Sequence, residues 1–144
     1  MRPVVIVDGV RTPFCRSWGV LQGLPADELA RLAMGEAIAR IDLDPAALDE
    51  VIVGNIAQPA ESTTLARVAA LKAGVPRRVP AFTVNQNCAS GMQAIAIAHD
   101  RIAAGVADLI LVGGVESMSR IPFQLSYAFT ELMMRLRRAR GPFG

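Results

Sequence analysis

The stretch Val84-Asn85-Gln86-Asn87-Cys88-Ala89-Ser90-Gly91-Met92 sets a single thiol between a polar trio and a run of very small side chains. A cysteine in such a setting can serve as a nucleophile, provided that something favours its thiolate and something takes its proton. The residues before it, Pro80 to Val84, read as a strand, and those after it read as a helix, so the sulfur falls at a helix mouth. Asn85 or Asn87 is placed to cap that helix. The positive helix end favours a negative sulfur by about 0.3–1 kcal/mol, which poises it without fully ionising it. Ala89, Ser90 and Gly91 leave the first turn bare. Glycine inside a helix costs about 1 kcal/mol relative to alanine, which points to close approach by another backbone or by a substrate. The alternative is a buried structural cysteine packed among small neighbours.

The proton acceptor is harder to find. His99 is the only histidine. It lies eleven residues downstream on the same helical pattern, about 16 Å along the axis at 1.5 Å per residue, far outside hydrogen-bond reach of about 3 Å. Beside Asp100 and Arg101, it reads as a surface residue of a helix. Glu116 falls at the carboxyl end of a strand, where α/β folds gather their sites, but a carboxylate repels the thiolate it would create. The sequence thus offers a nucleophile without an activator.

The elements that must position Cys88 follow from the hydrophobic pattern. Four short Val- and Ile-rich runs, Pro3–Val10, Val51–Ile56, Pro80–Val84 and Asp108–Val115, alternate poorly, as parallel strands buried on both faces do. Helical stretches lie between them. Ala26–Arg40 carries a stripe of Leu29, Leu32, Ala33 and Ala37, with Asp27 and Glu28 in its first turn. Ser62–Ala73 has Leu65, Val68 and Ala69 in register and stops at Gly74-Val75-Pro76. Cys88–Ala104 carries Met92, Ile95, Ala96 and Ile102 and ends at Gly105. Strands alternating with helices predict a layered α/β domain with right-handed crossovers. After Ser119, Ile121-Pro122-Phe123 breaks the rhythm. Phe129, Leu132, Met133 and Leu136 then form a stripe opposite four arginines crowded between Arg135 and Arg140.

Composition narrows the classes. The 144 residues are 52% apolar and 19% charged, which is globular and not disordered. The mean hydropathy of +0.36 implies a very apolar core or an apolar surface awaiting a partner. The net charge of +2 is too small to imply nucleic acid. No apolar run reaches the ~18 residues of a membrane span. The opening MRPVVIVDGV lacks the layout of a signal peptide, so the reading is cytoplasmic. Two cysteines in such a chain are expected to be free, and no cysteine or histidine spacing points to a metal.

At this point the motifs carry a resemblance. NQNCASGMQAI around Cys88 resembles the nucleophile motif of the thiolases, and VGGVESMS, Val112 to Ser119, resembles their second N-terminal signature. VDGVRTPFCR and GNIAQPAESTTLARVAALKAGVP are similar to the same family, and the match runs in order from residue 3 to about residue 120. The resemblance implies a layered α/β half-fold, a mostly parallel buried sheet with helices on both faces. It divides the chain into residues 1–120, an N-terminal half, and residues 121–144, the start of an inserted loop domain with a basic amphipathic segment. It implies an acyltransferase in which Cys88 attacks the keto carbonyl of a 3-ketoacyl-CoA and carries the acyl group as a thioester. The reaction would run in fatty-acid β-oxidation or, reversed, in acetoacetyl-CoA formation. Coenzyme A thioesters are then substrates and no cofactor is permanently bound.

The resemblance also implies a Gly-His-Pro histidine, a second, proton-shuttling cysteine and an asparagine-held oxyanion site, all on a second half. This sequence has no Gly-His-Pro, and Cys15 lies in the opening loop, where it reads as a small packed residue. The expected partners are an acyl-CoA substrate and either a second copy or a complementary C-terminal half. Residues 121–144 read as a core-covering helix with a solvated basic face or, alternatively, as a contact to a membrane or a multienzyme complex. Other function classes remain open at this level. One is a decarboxylating condensing enzyme of the same superfamily. Another is a non-catalytic half-chain that assembles with a partner. Dinucleotide binding fits poorly, because Gly113-Gly114 lacks the GxGxxG spacing.

Overall fold

The structure, a computed structural model, describes residues 2–138. Its elements in chain order are α1 (Ala26–Arg40), β1 (Glu50–Gly54), α2 (Leu65–Lys72), β2 (Ala81–Val84), α3 (Ser90–Ala103), β3 (Ile110–Gly114) and α4 (Tyr127–Arg138). The three strands form a parallel sheet in the order β2-β1-β3, with Val53 opposite Thr83 on one side and Gly113 on the other.

The central strand is buried along its whole length, and its side chains alternate between two layers. Val51 and Val53 pack with Ala30, Met34 and Ile38 of α1 and Leu65, Ala69 and Ala70 of α2. Ile52 points the other way, onto Ala94 and Ala98 of α3. Helices therefore cover both sheet faces, the layered α/β arrangement read from the sequence. A sheet covered on both sides explains why its strands read as apolar runs without alternation.

The helix ends follow from the backbone. Gly74 and Gly105 sit at φ +88 and +75 after α2 and α3. Val75 N–H donates to Ala70 O and Gly74 N–H to Leu71 O, and the same pair of bonds closes α3 at Val106 and Gly105. These left-handed caps satisfy the last carbonyls. At the end of α1 the same position is taken by Asp42, with φ 49. Lys72 at the end of α2 reaches Asp27 and Glu28 at the start of α1, at 2.6 and 2.7 Å. Hydrogen bonds from Lys72 and Arg31 hold the Glu28 carboxyl below the usual carboxylate range. Arg101 and the buried Glu50 form an ion pair at 2.6 Å, although the Nε–H is not aligned for a hydrogen bond.

Four sequence expectations change. Pro3–Val10 is not a strand: Val5, Ile6 and Val7 are 65–84% exposed, and no backbone bond joins residues 3–10 to the sheet. A β-prone run needs a ladder partner to become a strand. Here a cavity of about 430 Å³ separates residues 8–17 from α1 and β3. Second, α3 buries Ala94 and Ala98, whereas Met92 and Ile95 of the expected stripe are exposed. Third, in α1 Leu32 is exposed, and the core face runs through Ala26, Ala30, Met34 and Ile38. Fourth, α4 covers no core, since none of its residues is buried. The helix is amphipathic as read, and Arg140 and residues 141–144 of that stretch lie outside the described residues.

Candidate active site

The carboxyl ends of the strands and the start of α3 meet where three glycines converge. β1 ends at Gly54 and β3 at Gly114. A Cβ on Gly54 would sit against the Ser90 carbonyl carbon and 2.5 Å from Gly91 N. A Cβ on Gly114 would lie 3.0 Å from Gly91 Cα. The close approach is demanded at Gly54 and Gly114; Gly91, whose own Cβ would meet Gly114 Cα at an ordinary 3.5 Å, is not itself required by it, contrary to the sequence reading. That approach seats the first turn of α3 directly on the sheet.

Cys88 lies in the connection from β2 to α3, two residues before the first helical residue, and is exposed and free. Neither Asn85 nor Asn87 caps α3, contrary to the sequence reading; Ala89 holds the cap position without a side-chain bond. The asparagines are used within the turn instead. Asn87 sits at φ 50, and its N–H donates to Asn85 Oδ1 at 3.1 Å. Buried Ser90 closes the turn, its Oγ accepting from Gln86 N at 2.8 Å and donating to Asn87 O at 2.6 Å. A short polar side chain that tolerates the left-handed region suits Asn87.

A second polar group flanks this turn. Asn55, the residue after β1, is 1% exposed, and its Nδ2 donates to Val115 O and to Glu116 Oε1, each at 3.1 Å. Glu116 Oε2 accepts from Ile56 N at 3.1 Å and Ala57 N at 3.3 Å. Asn85 Nδ2 in turn donates to Ile56 O at 3.4 Å. The rest of the VGGVESMS segment is fastened as well: Ser117 Oγ donates to Leu24 O and Ser119 Oγ accepts from Trp18 N.

The structure keeps the other titratable candidates apart from Cys88. His99 is exposed near the far end of α3, its Nδ1 3.1 Å from Asp100 Oδ1. Cys15 is not the small packed residue expected; it is exposed, on the rim of the cavity beside α1 and β3. Exposure alone therefore does not separate the two thiols. Sequence reasoning missed the turn-closing role of Ser90 and the Asn55–Glu116 pair. A polar residue directly after the apolar run at residues 51–54 was the available signal for Asn55.

The family profile described as "Thiolase, N-terminal domain" matches residues 4–141. The chain belongs to the thiolase family. A Staphylococcus epidermidis protein named "Probable acetyl-CoA acyltransferase" is 39% identical over 125 residues, which is 87% of this chain and 32% of that protein. A Staphylococcus aureus protein of the same name is 40% identical over 122 residues, covering 85% and 31%. The crystal structure of the Bacillus anthracis acetyl-CoA acetyltransferase superposes with a TM-score of 0.81 at 40% identity, over 85% of this chain and 31% of that one. The chain spans about a third of the length of these relatives, and its layered sheet is that of a thiolase N-terminal half. No described helix is long and apolar enough to cross a membrane.

Proposed function

We propose that this thiolase segment supplies the nucleophile of an acyltransferase acting on coenzyme A thioesters, and that Cys88 is that nucleophile. The carrying observation is its placement: an exposed thiol in a turn held at the amino end of α3, where the strands end. In the degradative direction the Cys88 thiolate adds to the keto carbonyl of a 3-ketoacyl-CoA. The bond between the α and β carbons breaks, its electron pair takes a proton to give acetyl-CoA, and the shortened acyl group stays on sulfur as a thioester. A second coenzyme A thiol then accepts the acyl group and the sulfur is released. Ala89 and Gly91 leave room for the acyl chain, and the backbone amide of Cys88 suits a developing oxyanion.

The proton transfers need a base that this half does not place near Cys88, so the reading includes a complementary C-terminal half or a second copy as partner. The division into residues 1–120 and 121–144 belongs to the same proposal, with the second stretch opening an inserted domain. The decarboxylating alternative is disfavoured by the family match. The nucleophile is tested by competitive alkylation of the folded chain with sub-stoichiometric iodoacetamide, read by peptide mass spectrometry. Cys88 is expected to label faster than Cys15. Preferential labelling of Cys15 would remove the assignment.

For α4, a docking role outside this chain is favoured by its apolar stripe, exposed at Phe129, Leu132, Met133 and Leu136. A basic amphipathic helix of this kind suits an anionic membrane surface. A peptide of residues 121–144 should gain helical circular dichroism on addition of phosphatidylglycerol-containing vesicles, and an unchanged spectrum ends that role.

A further inference from the structure

We infer that Glu116 is a positioning residue for Cys88, acting through the loop after β1 and through Asn85. The inference rests on the reading of Cys88 as the nucleophile. Glu116 is not placed as a base, because both of its oxygens are engaged: Oε1 accepts from Asn55 Nδ2, and Oε2 accepts from the backbone amides of Ile56 and Ala57. A carboxylate that accepts from amides makes hydrogen bonds about twice as strong as neutral ones. It therefore fixes the loop at residues 55–57 against the end of β3, where Val115 N–H also donates to Gly54 O.

From there the order passes to the cysteine turn. Asn55 N–H donates to Val84 O at 3.0 Å, fastening the same loop to the last residue of β2. Asn85 Nδ2 donates to Ile56 O, and Asn85 Oδ1 accepts from Asn87 N, the residue before Cys88. Glu116, Ile56, Asn85 and Asn87 thus form one hydrogen-bonded relay across three separate stretches of chain. Its end point is the left-handed residue that sets the direction in which Cys88 leaves the turn. The relay is anchored in the interior by Asn55, whose Oδ1 is buried without a partner, so that side chain is held by its Nδ2 bonds to Val115 O and Glu116 alone. Losing Glu116 would leave the Ile56 and Ala57 amides and Asn55 to reorganise, and Asn85 would lose its fixed acceptor.

The test uses the full 144-residue chain carrying Cys15→Ser, so that Cys88 is the only thiol. The second-order rate of Cys88 alkylation by iodoacetamide at pH 7 is measured for the parent, E116A, E116Q, N85A and the E116A/N85A double variant. E116A and N85A should each slow Cys88 by about two- to fivefold, the loss of a helix end's stabilisation of the sulfur. The double variant should be no slower than either single one, because the two residues act in series. E116Q keeps an oxygen for the loop amides and should recover most of the rate. Val79→Ala, a core change in the α1–α2 layer, controls for stability and should leave the rate unchanged at equal loss of Tm. An unchanged rate in N85A, or effects of E116A and N85A that multiply, overturns the inference. If E116A does not fold, N85A decides, since Asn85 is exposed and an unchanged rate there removes the last step of the relay. A parent in which Cys88 reacts no faster than an unfolded-chain cysteine sinks the nucleophile reading instead, which separates the two failures.

Discussion

Gly54→Ala is expected to destabilise the chain by about 3 kcal/mol or more, the upper range for overpacking, because the new methyl meets backbone and not a side chain that could rotate away. The methyl would sit against the Ser90 carbonyl carbon and 2.5 Å from Gly91 N, so α3 must lift from the sheet or β1 must retreat. Both strand edges of β1 are paired, which opposes the retreat. For a chain near 150 residues this loss corresponds to a Tm drop of about 6–12 °C. Gly113→Ala is the matched control, since nothing lies within 4 Å of a Cβ there. Thermal melts followed by circular dichroism compare the two. A Gly54→Ala melt that coincides with the parent's would refute the seating of α3 described above.

The second large effect concerns turnover. Purified as it stands, the 144-residue chain should thiolyse acetoacetyl-CoA at least about 10²–10⁴-fold more slowly than a full-length thiolase, the usual contribution of general acid–base catalysis. The reason is geometric. The only imidazole, His99, lies nine residues into α3 from Ser90, about 14 Å of helical rise beyond the turn that holds Cys88, and is hydrogen-bonded to Asp100 at the surface. Adding a separately expressed C-terminal half of a relative should restore part of the rate if that half carries the base. The assay is loss of the acetoacetyl-CoA enolate absorbance with added coenzyme A, and Cys88→Ala serves as the blank. Turnover by the chain alone at the full-length rate would mean that the proton acceptor lies within these residues.

Much of this layout is legible in the amino-acid sequence, and the reasons differ by element. The bounds of α1 are legible because acidic residues fill its first turn and its apolar repeat ends at Arg40. α2 and α3 ended where glycine followed the last turn, since a left-handed cap leaves a residue-type mark. The three paired strands were legible from continuous apolar runs. Pro3–Val10 carried the same signal, but a run of β-prone residues does not encode whether a neighbour is beside it. The face of α3 differs from the expected stripe because large residues dominate a periodicity, whereas the buried contact with the sheet is made by Ala94 and Ala98, with Ile97 half-buried beside them. Small side chains are what let the helix come close.

Around Cys88 the sequence showed the nucleophile and its bare surroundings, and it showed that His99 was out of reach. It did not show the network. Asn85 and Asn87 looked like helix caps because Asn before a helix usually is one. The helix instead starts at Ser90, after the left-handed Asn87, and the Asn85 side chain is spent on Asn87 N and Ile56 O. Glu116 could be placed at a strand end from its pattern, but its partners, Asn55, Ile56 and Ala57, are about sixty residues away in the chain and carry no local mark.

The meeting of Gly54, Gly91 and Gly114 has a bearing on how the family's genes can change. Most crowding lesions have second-site suppressors, in which a neighbour is trimmed to accommodate the addition. At Gly54 the neighbours are backbone atoms, which no substitution can trim, so an added methyl has no reciprocal remedy there. Drift through an intermediate allele is closed most firmly at the Gly54 codon and next at Gly114, whereas Gly91 itself has ordinary room for a methyl.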